Sequence, residues 1–279
     1  MLLSSKTLNQ VRSLNLTSNQ PIIISGPEFT YKELLSKKIA SQSLEIDIDK
    51  LDSYPYIITV ISDKKSLGIE EIRDLSKFIS LTVPLNKAIN RVVMIPNSEI
   101  LTVQAQNALL KNLEESPKST LFILTTKKIN NILPTILSRS RIIDVVKPSK
   151  IEIKKYLNKH NDTEIEQNYL LSDGAPRLIE ILLDNNESDI KNDVDLTKKI
   201  LSASKINKLS YINELSKSRE ESIKIISLIK QMSKLGCLSN NSKQSIIWQN
   251  ILDRSMQAEK KLRSNSSVKL TLLDFFLNI

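Results

Sequence analysis

Eight residues near the start of the chain have the types and spacing of a phosphate cradle. They read Gly26-Pro27-Glu28-Phe29-Thr30-Tyr31-Lys32-Glu33. A working P-loop, G-x-x-x-x-G-K-[ST], uses its second glycine to let backbone N–H groups wrap the phosphates. Its lysine reaches the β- and γ-phosphates, and its hydroxyl holds Mg²⁺. Gly26 and Lys32 stand at template positions, but Tyr31 replaces the second glycine and Glu33 replaces the Ser/Thr. Tyr31 brings a Cβ and a ring where the backbone must come close. Glu33 brings negative charge and no hydroxyl. Without a phosphate to meet, Lys32 reads as a surface lysine on the helix that follows.

Other chemistries are narrowly bounded. His160, in a polar stretch, is the only histidine, and Cys237 is the only cysteine. Neither a disulfide within the chain nor a cysteine-held zinc site can form, and histidine catalysis is not expected. No metal and no cofactor is expected. Cys237 reads as a small apolar residue near a helix end. The formal net charge is +9, from 20 basic and 14 acidic residues in 1–150 and 20 and 17 in 151–279. That modest excess helps contact with nucleic acid. With no dense Lys/Arg run, it equally fits a lysine-rich solubilising surface. No apolar run reaches the ~18 residues of a membrane helix. Met1-Leu2-Leu3-Ser4-Ser5-Lys6 is too short and polar for a signal peptide. A cytoplasmic protein without a membrane partner is the expectation.

The elements that must carry these residues alternate in type. Short runs over 21–26, 56–61, 91–95, 120–125 and 142–146 are almost continuously apolar or β-branched, as in a parallel sheet buried on both faces. Between them, Ile69, Ile72, Leu75, Phe78 and Ile79 recur at helical spacing. Thr102 can cap a helix that carries Ala105, Ala108, Leu109 and Leu113 and ends before Pro117. Pro134-Thr135-Ile136-Leu137 reads as a short helix. The pattern predicts an α/β layered domain over about 1–147. Residues 149–184 read as a small helical unit, Asp184 to Asp189 as a polar linker, and 190–279 as all helix, broken at Asn240-Asn241-Ser242.

Three segments carry a family resemblance. They are Ile69-Glu70-Glu71-Ile72-Arg73, then Gln106-Asn107-Ala108-Leu109-Leu110-Lys111-Asn112-Leu113-Glu114-Glu115, then Leu133-Pro134-Thr135-Ile136-Leu137-Ser138-Arg139. In order and spacing this stretch resembles the delta-prime and gamma/tau clamp-loader family of bacterial DNA polymerase III. The resemblance implies an AAA+ module. Its five-stranded parallel sheet, flanked by helices, would be a degenerate nucleotide-fold domain (1–147). A small helical lid (148–187) and an all-helical collar (188–279) would follow. The implied partners are gamma/tau and delta subunits in a pentameric ring, the sliding clamp and primer–template DNA.

The resemblance also implies which residues matter. An active member follows its third strand with an acidic pair that serves Mg²⁺ and water, but here Ile95 is followed by Pro96-Asn97-Ser98. Both halves of the ATP site are thus degenerate. Ser138-Arg139-Ser140 corresponds to the family's S-R-C motif, with Ser140 in place of the cysteine. Its arginine reaches the ATP site of the neighbouring subunit, where a guanidinium stabilises charge on the γ-phosphoryl group. Arg139 is therefore the expected trans arginine finger, with Arg141 as the alternative bearer. Arg177, Thr125 and Thr126 stand at sensor positions and read as relics. The implied function is a non-hydrolysing delta-prime-type subunit that supports ATP-dependent clamp loading. Two other readings stay open. One is an active gamma/tau-type ATPase with unusual motifs, with Glu99 as a displaced acid. The other is a stand-alone AAA+-derived nucleic-acid-binding module.

Overall fold

Three of the apolar runs become strands that are buried at every position: β1 (Ile22–Ser25), β3 (Arg91–Ile95) and β4 (Thr120–Thr126). The structure is a computed structural model that describes residues 1–61, 66–84, 87–158, 161–183, 189–237, 242–264 and 266–279. His160, the linker at 184–188 and the break at Asn240-Asn241 lie outside the described residues. The chain divides into two compact units, Met1–Pro148 and Ser149–Ile279.

In the first unit, β2 (Ile57–Thr59) and β5 (Arg141–Asp144) complete a five-stranded sheet in the order β2-β3-β4-β1-β5. Every pairing is parallel, with Ile23 opposite both Leu124 and Ile142. This is the expected buried parallel sheet, and its edge strands are the less buried ones. Helices α1 (Ser5–Arg12), α2 (Lys32–Leu44), α3 (Ile69–Ser80), α4 (Val103–Glu115) and α5 (Pro134–Leu137) surround it. Ile23, Val93 and Phe122 point to one face and share a core with Ile72 and Leu75 of α3, Leu109 of α4 and Ile136 of α5. On the other face, Met94 and Ile123 line a hollow with Ser36 of α2.

Local chemistry sets the helix ends. The Thr102 hydroxyl accepts from the Ala105 N–H at 3.2 Å, which starts α4 as read from the sequence. The Glu71 carboxylate accepts from the Gly68 N–H at 3.1 Å at the start of α3. Helix α1, which the sequence reading did not anticipate, covers the outer edge of β5 with polar side chains. The Thr7 hydroxyl donates to the Asp144 carbonyl at 3.0 Å and accepts from the Val146 N–H at 3.1 Å. The Gln10 amide oxygen accepts from the Asp144 N–H at 2.9 Å.

The first unit also buries an arginine. Arg91 opens β3 at 2 % exposure. Its guanidinium donates to the Ile79 and Leu81 carbonyls at the end of α3 and lies 5.2 Å from the centre of the Phe78 ring. Burial lowers its pKa, but a guanidinium keeps its proton at any ordinary pH. The charge thus meets the unsatisfied carbonyl end of a helix and an aromatic face.

The second unit is helical, as expected: α6 (Lys150–Tyr156), α7 (Asp162–Leu171), α8 (Pro176–Leu183), α9 (Asp189–Ser202), α10 (Lys205–Leu215), α11 (Arg219–Cys237), α12 (Ser242–Arg263) and α13 (Val268–Leu277). Its core joins Ile226 and Ile229 of α11, Leu262 of α12, and Leu272 and Phe276 of α13. Arg219 repeats the device of Arg91. It donates to the Leu262, Ser264 and Ser266 carbonyls at 2.7 Å each, closing the end of α12. Cys237 ends α11 as a half-buried free thiol.

Arg91→Met is expected to lower the stability of the first unit by about 2–4 kcal/mol, because two buried carbonyls lose a charged donor. Urea unfolding followed by circular dichroism reads this. An unchanged midpoint would show that water replaces the guanidinium without penalty.

Candidate functional site

The loop after β1 is built against the end of β5. Gly26 donates its N–H to the Thr126 carbonyl at 3.1 Å. A Cβ at Gly26 would lie 2.7 Å from the Val145 carbonyl oxygen, so the position admits no side chain. Phe29 and Tyr31 then take φ values of 56° and 65°. Tyr31, at the template's second-glycine position, thus adopts a left-handed backbone that costs a residue with a Cβ about 1–2 kcal/mol. Its ring is buried at 6 % exposure, and its hydroxyl has no hydrogen-bond partner among the described residues.

Lys32 corrects an expectation. It is not a surface lysine: its side chain is 1 % exposed. Its ammonium donates to the Pro27 carbonyl at 2.7 Å, and the Thr30 hydroxyl donates to the same oxygen at 2.6 Å. The loop is therefore drawn onto its own lysine. Burial pushes the Lys32 pKa below the usual lysine range, with the charge of Glu33 opposing that shift. The sequence pattern hides this, because lysines in such positions normally face a phosphate or water.

The strand ends bring residues from the two segments singled out in the sequence around one hollow. Glu33, Lys37, Thr59, Pro96 and Thr125 help line a hollow of about 150 Å³. Small-molecule sites usually run from about 300 to 1,000 Å³. The carboxylates in the surrounding loops are engaged elsewhere. Glu99 accepts from the Lys127 N–H at 3.2 Å, and Glu28 pairs with the Lys127 ammonium. Asn97, at φ 51°, donates its N–H to the Thr125 hydroxyl at 3.3 Å. Among the described residues no group of three or more His, Cys, Asp or Glu could hold a metal ion.

Arg139 sits elsewhere, just beyond α5, and is exposed. Its Nη1 donates to the Thr135 carbonyl at 3.1 Å, and its Nη2 forms an ion pair with Glu114 Oε1 at 2.8 Å. Ser138 and Ser140 turn their hydroxyls back to the Thr135 and Ile136 carbonyls. Arg141 differs: it opens β5 and donates to the Ser13 hydroxyl at 3.1 Å. Arg177 is an exposed residue of α8 in the second unit.

One contributor went unassigned in the sequence reading. Gln106, buried at 2 % exposure, donates to the Asn131 carbonyl at 2.9 Å and accepts from the Leu133 N–H at 2.7 Å. It holds the loop that leads into α5. Its signal in the sequence is a polar residue beside Ala105 on the buried face of α4.

Comparisons with known proteins meet this geometry. Residues 22–149 match the family described as DNA polymerase III, delta subunit. Over 145 residues the chain is 31 % identical to DNA polymerase III subunit delta' of Yersinia pestis, covering 49 % of this chain and 42 % of that protein. Over 162 residues it is 31 % identical to DNA polymerase III subunit gamma/tau of Mycoplasma genitalium, covering 48 % of this chain and 27 % of that protein. The matches thus span less than half the length of these relatives. In fold, the chain resembles the crystal structure of a DNA polymerase III gamma subunit-related protein from Thermotoga maritima, with a TM-score of 0.61 at 16 % identity and 98 % coverage of both chains. The fold is of the AAA+ type.

The buried lysine gives a pH signature. Folding lowers the Lys32 pKa, so the unfolded chain binds more protons there and stability rises with pH. The penalty is in full force below the depressed value and lifts as pH climbs from there toward the ordinary ~10.4. The wild-type chain is therefore expected to gain stability relative to Lys32→Met between pH 7 and pH 10, measured by urea unfolding. A constant difference would mean that the ammonium is solvated.

Proposed function

We propose that this chain, whose residues 22–149 are related to the delta-prime-type subunits of DNA polymerase III, is a non-hydrolysing clamp-loader subunit that lends Arg139 to a neighbour's ATP site. The observation that carries this is a contrast within one unit. The loop that would cradle phosphates is occupied by its own lysine, whereas Arg139 is exposed. Tyr31, Glu33, Pro96 and Asn97 remove the backbone approach, the hydroxyl and the acidic pair that Mg²⁺-bound ATP needs. Arg139 needs none of these. As charge spreads over the γ-phosphoryl oxygens, a planar, permanently charged guanidinium from the adjoining subunit stabilises it.

The partners in this reading are gamma/tau and delta subunits in a pentameric ring, the sliding clamp and primer–template DNA. Residues 148–187 act as the lid and 188–279 as the collar that joins the ring. The subunit works in the cytoplasm, and no helix among the described residues is long and apolar enough to cross a membrane. The likeness to a gamma/tau subunit favours a second reading, an active ATPase. The engaged Lys32 and the small hollow beside Glu33 count against it.

Two measurements separate these. The purified chain is expected to show no Mg²⁺-dependent ATP turnover and no micromolar ATP affinity. Either would establish the ATPase reading instead. In the assembled loader, Arg139→Ala is expected to slow turnover at the site it serves by on the order of 10³-fold, with the subunit's circular dichroism unchanged. Full turnover in an assembly of verified composition would remove Arg139 from the mechanism.

A further inference from the structure

Accepting that Arg139 reaches a neighbour's ATP, on which this step rests, we infer that Glu114 is its positioning residue. A finger is useful only if its guanidinium is already aimed, because an unanchored arginine loses much rotamer freedom when it docks. Here two rigid elements hold it. The Thr135 carbonyl of α5 accepts from Nη1 at 3.1 Å, and Glu114 in the last turn of α4 pairs with Nη2 at 2.8 Å.

The chemistry distinguishes aiming from sequestering. A guanidinium has five N–H donors. Thr135 takes one and Glu114 faces another, which leaves three for a phosphate. The Arg139 and Glu114 side chains are 46 % and 48 % exposed, so the ion pair lies at the surface, within reach of an incoming group. Phosphate oxygens can therefore be met without breaking either anchor. Helix α4 also supplies Gln106, which fixes the loop into α5 from a buried position. One helix thus sets both the backbone from which the finger springs and the direction of its tip.

The test is steady-state ATP turnover of the assembled loader carrying Glu114→Ala, Glu114→Gln, Arg139→Ala, or Glu114→Ala with Arg139→Ala. Exposed ion pairs are weak, so Glu114→Ala and Glu114→Gln are each expected to lower kcat about two- to fivefold. KM for ATP is expected to hold, and Glu114→Ala to have no further effect once Arg139 is gone. A rise in turnover would overturn the inference, because Glu114 would then be competing with the phosphate. Unchanged turnover alongside a large Arg139→Ala loss would overturn it too, as would an equal fall in both backgrounds. No effect of Arg139→Ala itself would sink the finger reading, and the inference with it.

Discussion

Everything in the first unit follows from a sheet whose three middle strands see no water. Backbone groups in β1, β3 and β4 must all be paired, and both faces must be covered. Parallel pairing satisfies the first demand and helices on the two faces satisfy the second. The strands then all end on the same side. The segments that follow β1, β3 and β4 start there at Gly26, Pro96 and Lys127, and Glu33, Pro96 and Thr125 stand around one hollow. The hollow is a product of the sheet, and its character is set by the few residues that line it.

The residues of the first of those segments show how such a loop can be held in shape by groups of its own chain. Gly26 is still required, because a carbonyl from the end of β5 occupies the space of its missing side chain. Tyr31 accepts a left-handed backbone that glycine would adopt without strain. Lys32 turns to the Pro27 carbonyl, so a charge that would otherwise lie in a dry interior has a partner.

Much of this was legible in the sequence because burial writes simple patterns. The five continuous apolar runs gave five strands, and helical spacing with a threonine cap placed α3 and α4 within a residue or two. What stayed hidden depends on partners far along the chain. Thr7 and Gln10 look like ordinary polar residues until they meet Asp144 and Val146. Arg91 looks like the polar start of a strand until the end of α3 lies over it. Lys32 looks solvated until the loop folds back. Arg139 stands out in the sequence only through the surrounding motif, and its ion pair with Glu114 needed the third dimension.

Helix α1 against β5 carries a consequence for how this protein meets others. A bare strand edge invites any extended peptide to add itself to the sheet. Here Thr7 and Gln10 already occupy outward-facing backbone groups of the last strand and the residues after it. At the opposite rim, β2 is only three residues long. Among the described residues, neither border offers a long template for β-addition. Copies of the chain are thus guarded against zipping together along these strand edges.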